Sequence, residues 1–135
     1  MAGWGTGSFE NEHAQNWLAQ LNQLTVDDLT EILRHANESE YLEAPDASAV
    51  VTAAEVIAAA GGTPGDVLPR EISDWISRIE GSPSVTLRGI ASQAVERIRR
   101  NSELRDLWMQ AEGLNEWSTG LRDLEKRLIS DTSAI

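Results

Sequence analysis

Apolar residues recur at helical spacing in nearly every segment between the glycines and prolines of this chain. In the first segment they fall at i, i+3, i+4 and i+7, which is the spacing of one face of an α-helix. Only residues 85–87 form a β-prone run, and that run follows a proline typical of helix starts. The pattern predicts an all-α fold: one irregular bundle of five to six helices over residues 1–135, with an N-terminal arm (1–9) and a frayed tail (131–135).

Short polar side chains mark the predicted helix starts, because their oxygens accept hydrogen bonds from the free amides of the first turn. The expected N-caps are Asn11, Thr25, Asp46 or Ser48, and Ser82. Asp28 completes a capping box with Thr25. Pro69 is expected as the first residue of the fourth helix, and Gly81 is expected to end it. Residues 84–111 could form one long bent helix or two helices separated at Asn101–Ser102.

The segment 46–61 carries alanine, valine and isoleucine around most of its circumference. Small side chains let neighbouring helices approach closely, so we expect this helix at the centre of the bundle. Glu55 interrupts the segment. A half-buried carboxylate can act as an acid or base, but the commoner explanation is a glutamate on the one solvent-facing stripe of a central helix. Paired with an arginine such as Arg88 or Arg97, Glu55 would have a structural role.

The charge is strongly asymmetric. The chain has 22 acidic and 11 basic residues, a net charge of −11, and residues 1–66 hold 11 of the acids but only one base, Arg34. Such a chain repels phosphate backbones, so we expect no nucleic-acid binding. Acidity of this kind commonly serves solubility. The alternative, which the uneven distribution of charge favours, is a docking face for a basic protein partner.

No apolar run approaches the roughly 20 residues that cross a bilayer, and no basic segment typical of a signal peptide opens the chain. We therefore expect a cytoplasmic protein without membrane contact. The oligomeric state is left open.

The absence of cysteine excludes disulfides, thiolate nucleophiles and cysteine-ligated zinc. No serine-nucleophile motif is present either, so no catalytic residue is assigned and an enzymatic role is disfavoured. Glu10 and His13, three positions apart, are weak candidates for metal ligation. We expect no metal and no cofactor.

Five residues are candidates for an interaction or ligand site: Trp4, Phe9, Glu55, Arg97 and Arg100. The two aromatic residues flank a glycine-rich arm, which either packs on the bundle or presents backbone amides to an anion. The two arginines fall in the last turn of a predicted helix. There they complement the helix dipole, or they grip a phosphate or a partner's carboxylates.

The opening residues 1–11, MAGWGTGSFEN, resemble the start of a bacterial family described only as domain of unknown function 4259, whose members begin with a similar Trp-Gly-Thr-Gly-x-Phe segment. The likeness continues through residues 53–59, through Leu68–Pro69 with Trp75, and through residues 101–108. The resemblance implies one helical domain and brings no activity with it.

These observations favour a small acidic interaction or regulatory module. The alternative is a small-ligand-binding protein, or an enzyme, with a pocket between helices.

Overall fold

In the computed structural model, which describes residues 5–130, the chain forms seven α-helices and one 3₁₀ turn, with no strand in that range. The helices are α1 (Glu12–Leu18), α2 (Val26–Glu38), α3 (Ala44–Ala60), α4 (Arg70–Arg78), α5 (Val85–Arg100), α6 (Glu103–Gln110) and α7 (Leu114–Ile129), and the turn is Leu21–Gln23. The predicted all-α fold is confirmed, with seven α-helices rather than five to six. Trp4 and the predicted frayed tail, 131–135, lie outside the described residues.

Two predicted N-caps are confirmed. The Asn11 side chain accepts a hydrogen bond from the Ala14 amide at 2.9 Å. Thr25 accepts one from the Asp28 amide, and the Asp28 carboxylate accepts one from the Thr25 amide in return. These bonds satisfy first-turn amides that no helical carbonyl can reach.

The predicted N-caps of α3 and α5 are wrong. The N-cap of α3 is Glu43, three residues before Asp46 and five before Ser48, and the N-cap of α5 is Ser84, two residues after Ser82. Asp46 lies inside the first turn of α3, because Pro45 fits the first turn and extends the helix back to Ala44. In α5, the hydroxyl of Ser84, rather than that of Ser82, accepts a hydrogen bond from the Leu87 amide at 3.0 Å.

α4 also differs slightly at its ends. Pro69 is its N-cap rather than its first helical residue, and the helix ends at Arg78, before extended Ile79. Gly81 lies in the following loop with a φ of 73°.

The open question about residues 84–111 is resolved in favour of two helices. Asn101 is extended, with φ −158° and ψ 105°, and this interrupts the helical path. Ser102 then caps α6 by accepting a hydrogen bond from the Arg105 amide at 3.1 Å. This break is the reason that the helix count exceeds the expected range.

Helix α3 occupies the centre of the bundle, as predicted. It packs against all six other α-helices. Residues 50–58 are buried without interruption, so both faces of the helix contact protein. Of the tryptophans in residues 5–130, Trp75, Trp108 and Trp117 are buried, and Trp17 is half-buried.

The N-terminal arm packs on the bundle through Phe9. The phenyl ring is 9% exposed and belongs to the hydrophobic core. The Gln15 amide donates to the Phe9 carbonyl at 2.7 Å, which ties the arm to α1. Of the two alternatives for the arm, the burial of Phe9 shows the first, packing on the bundle.

None of the helices in the described range combines the length and the apolar character that a membrane span requires.

Candidate functional site

Glu55 lies where α3 meets both α7 and the N-terminal arm. Its Oε1 accepts a hydrogen bond from the Arg127 guanidinium at 3.0 Å, and its Oε2 accepts one from the Ser8 hydroxyl at 2.6 Å. The side chains of Glu55 and Arg127 are 8% and 17% exposed. One carboxylate therefore joins the beginning, the middle and the end of the fold.

The expected partners of Glu55, Arg88 and Arg97, are wrong. The Arg88 guanidinium donates to the Ser130 carbonyl, and Arg97 donates to the Ala36 carbonyl at 3.1 Å. Neither arginine pairs with Glu55, whose carboxylate pairs with Arg127 of α7 instead.

Arg127 is held by three further contacts. Its Nε donates a hydrogen bond to the Asp123 carboxylate at 2.8 Å. Its Nη1, which also contacts Glu55, donates to the Thr63 carbonyl at 3.2 Å. The Thr63 hydroxyl in turn donates to the Arg127 carbonyl. Burial opposes the charge on Arg127, but its hydrogen bonds to Glu55 and Asp123 outweigh this and raise its pKa. The guanidinium is therefore a fixed positive charge.

A cavity of about 270 Å³ opens beside this ion pair, between the arm, α3, the loop at 65–67 and α7. Its lining is acidic and partly apolar: Thr6, Gly7, Ser8, Phe9, Glu10, Glu55, Gly65, Asp66, Val67, Gly120, Leu121, Asp123 and Arg127. Four of these residues are acids and one is a base. The cavity thus carries an excess of negative charge that Arg127 does not neutralise.

The four carboxylates differ in how fully they are engaged. Glu55 and Asp123 share Arg127, and Glu10 accepts a hydrogen bond from the Gly7 amide at 3.1 Å. Asp66 is exposed and makes no ion pair or side-chain hydrogen bond within residues 5–130. The arrangement can therefore hold a cation, with Asp66 as an available acceptor at its rim.

The structure divides the candidate residues between two places. Phe9 and Glu55 line the cavity together. Arg97 and Arg100 lie near the end of α5, where Arg100 pairs with Glu96 at 3.1 Å. Among residues 5–130 no group of three or more His, Asp and Glu side chains is arranged to hold a metal, and Glu10 instead contacts the arm.

Sequence reasoning missed Ser8, Asp66, Asp123 and Arg127. The spacing of Asp123 and Arg127, four residues apart on a helix, does predict that these two side chains meet. No signal in the sequence places either of them next to Glu55.

The fold and the cavity define a domain that is all-helical over residues 5–130 and whose N-terminal arm forms one wall of an acid-rich cavity. The chain belongs to the family described as Domain of unknown function (DUF4259), whose profile matches residues 3–120. This confirms the resemblance of the opening segment. No curated protein and no solved structure matches the chain.

Proposed function

We propose that this protein is a binding module for a basic segment of a partner protein, with a lysine or arginine side chain of the partner entering the cavity beside Glu55. The observation that carries this proposal is the charge of the lining, four carboxylates against one guanidinium. A positive charge placed there gains favourable Coulomb energy in a partly enclosed site.

The size and the apolar lining support a side chain as the occupant. Pockets for drug-sized ligands are about 300–1,000 Å³, and this cavity is slightly smaller. Phe9, Val67 and Leu121 offer apolar surface to an aliphatic stem, while the carboxylates receive its charged head. Lysine and arginine combine these two properties.

The exposed acids of the N-terminal half support attraction of a basic partner over longer range. Of the 11 acids in residues 1–66, all except Glu55 are exposed, and Arg34 is the only base in that half. A field of one sign raises association rates with an oppositely charged partner and weakens with salt.

The experiment measures binding of a short fluorescent arginine-lysine peptide to the wild-type protein and to two variants of equal charge. Asp66→Asn changes the cavity rim. Asp27→Asn changes an exposed acid on α2 that makes no capping hydrogen bond and no ion pair within residues 5–130. Loss of one exposed charge pair is worth up to ~1 kcal/mol, so we expect Asp66→Asn to weaken binding by about two- to fivefold. Asp27→Asn should have a smaller effect.

A parallel titration with a free amine, N-acetyl-lysine amide, distinguishes a partner's side chain from a small ligand. Peptide affinity well above that of the amine supports the proposal, because the exposed acids then contribute. Equal affinities would favour a small cationic ligand, and equal effects of the two substitutions would remove the cavity from the binding site.

A further inference from the structure

A second concave surface, formed by the end of α5, the start of α6 and the first turns of α7, has the opposite charge. We name it the arginine groove. It encloses about 430 Å³ and has eight lining residues, four of which are Arg99, Arg100, Arg105 and Arg122. None of the eight is acidic. More than a third of the chain's 11 basic residues therefore meet at one place.

Two of these arginines have no acidic partner in the described part of the chain. Arg99 pairs with Glu125 at 2.7 Å and Arg100 pairs with Glu96. The guanidinium groups of Arg105 and Arg122 make no ion pair and no hydrogen bond with residues 5–130. The chain has two acids for every base, so acidic partners for these arginines are abundant. Two arginines that remain unpaired in a groove without carboxylates add no ion pair to the stability of the fold, and this favours a role in binding.

The remaining lining supplies hydrogen-bond donors rather than apolar surface. Asn115, Ser118 and Thr119 lie on α7 beside the arginines, and Leu114 is the one aliphatic residue. The N-terminal end of α7 adds a partial positive charge close to this surface. Guanidinium groups bind phosphate oxygens through paired hydrogen bonds, and hydroxyl and amide groups complete such a shell.

We propose that the arginine groove binds a small phosphate-bearing molecule, with Arg105 and Arg122 as its principal ligands. The groove falls within the volume range of small-molecule sites, and its polar lining fits a hydrophilic ligand. A long nucleic acid is disfavoured, because the net charge of −11 repels a polyanion beyond the groove.

This inference does not rest on the proposed partner binding. The groove and the cavity beside Glu55 share no lining residue and attract ligands of opposite charge. Either site can fail its test while the other passes.

The test is calorimetric titration of the full chain with inorganic pyrophosphate at constant ionic strength. The variants are Arg105→Gln and Arg122→Gln, and the control is Arg70→Gln, which removes the same charge from a side chain on α4 that is 91% exposed. Loss of one hydrogen bond to a charged group lowers affinity roughly tenfold. We expect each groove variant to lose about that much and the control to match wild type.

Thermal melts of the unliganded variants verify folding, and exposed Arg122 keeps the test valid if half-buried Arg105 proves necessary for the fold. Three outcomes overturn the proposal: no pyrophosphate binding to wild type, equal losses in the control and groove variants, or tighter binding of a single-stranded oligonucleotide than of pyrophosphate.

Discussion

The carboxylate of Glu55 and the guanidinium of Arg127 lie 3.0 Å apart, although 72 positions separate the two residues in the sequence. Both side chains are largely removed from solvent, so each is the main compensation for the buried charge of the other. Removing one member of such a pair leaves an uncompensated charge, which costs more than the pair itself contributes.

Glu55→Gln should therefore lower the free energy of unfolding by about 3 kcal/mol, the lower end of the range for a broken buried pair. The lower end applies because Asp123 and the Thr63 carbonyl still accept hydrogen bonds from Arg127. Chemical denaturation measures the loss. As a control, Asp123→Asn changes a carboxylate that is 65% exposed and should cost less than about 1 kcal/mol. Similar costs for both substitutions would contradict the assignment.

Phe9→Ala tests the packing of the arm. The ring is buried in the core, and removing a buried aromatic side chain costs about 3–5 kcal/mol, so the melting temperature should fall sharply. Val67→Ala is the control, because Val67 lines the same cavity but is 67% exposed. A Phe9 variant as stable as the Val67 variant would show that the arm is not part of the core.

The helix caps give a paired comparison in α5. Ser84→Ala should destabilise the protein by about 1 kcal/mol, because the Leu87 amide loses its acceptor. Ser82→Ala should be nearly neutral, since Ser82 is exposed outside the helix. Thermal melts of both variants test where α5 begins. A larger loss of stability in Ser82→Ala than in Ser84→Ala would instead support the start at Ser82 that the sequence predicted.

Two glycines should respond to alanine with opposite signs. A Cβ at Gly113 would lie 2.5 Å from the Trp108 ring, whereas a Cβ at Gly89 in α5 would meet nothing within 4 Å. Gly113→Ala should therefore cost about 1–3 kcal/mol through overpacking. Gly89→Ala should add about 0.5–1 kcal/mol through helix propensity. Denaturation midpoints measure both, and a stable Gly113 variant would contradict the close approach.

Tyr41 should lose its phenolic proton at a higher pH than an ordinary tyrosine. Its hydroxyl donates a hydrogen bond to Asp106 at 2.7 Å, and this bond, with the nearby acids Asp106, Glu103 and Glu43, raises the pKa of Tyr41 from 10.0 to about 12. The protonated phenol therefore stabilises the folded state fully below pH 10, and this contribution disappears as the pH rises to about 12.

The measurement is the near-ultraviolet absorbance of tyrosinate, which is unambiguous because Tyr41 is the only tyrosine. In Asp106→Asn the midpoint should move down toward the ordinary value. An unchanged midpoint in that variant would assign the shift to another cause.

Local sequence signals predicted the helical fold well. The apolar spacing, the Thr25 capping box and the alanine-rich centre all act within a few residues, so they are visible without knowledge of the partners. The errors at Asp46 and Ser82 arose because several polar residues compete near each start. The position of Pro45 set the start of α3, and the hydroxyl that reaches the Leu87 amide, that of Ser84, set the start of α5.

The candidate site was only half predictable. Glu55 was identified because a carboxylate within an apolar helix is conspicuous, and Phe9 because it flanks, with Trp4, the glycine-rich arm. Arg127 and Ser8 were not identified, because their proximity to Glu55 depends on how α7 and the arm pack across α3. On charge alone, each of the ten other basic residues could equally have been the partner of Glu55.

The hydrogen bonds of Glu55 to Ser8 and Arg127 also bear on how this molecule opens. Both ends of the described chain close on one side chain of α3, so detaching either end breaks part of the same network. Amide hydrogens in the arm and in α7 should consequently exchange with solvent in a shared opening event rather than by independent fraying. The two ends, although most distant in sequence, then behave as a single cooperative unit.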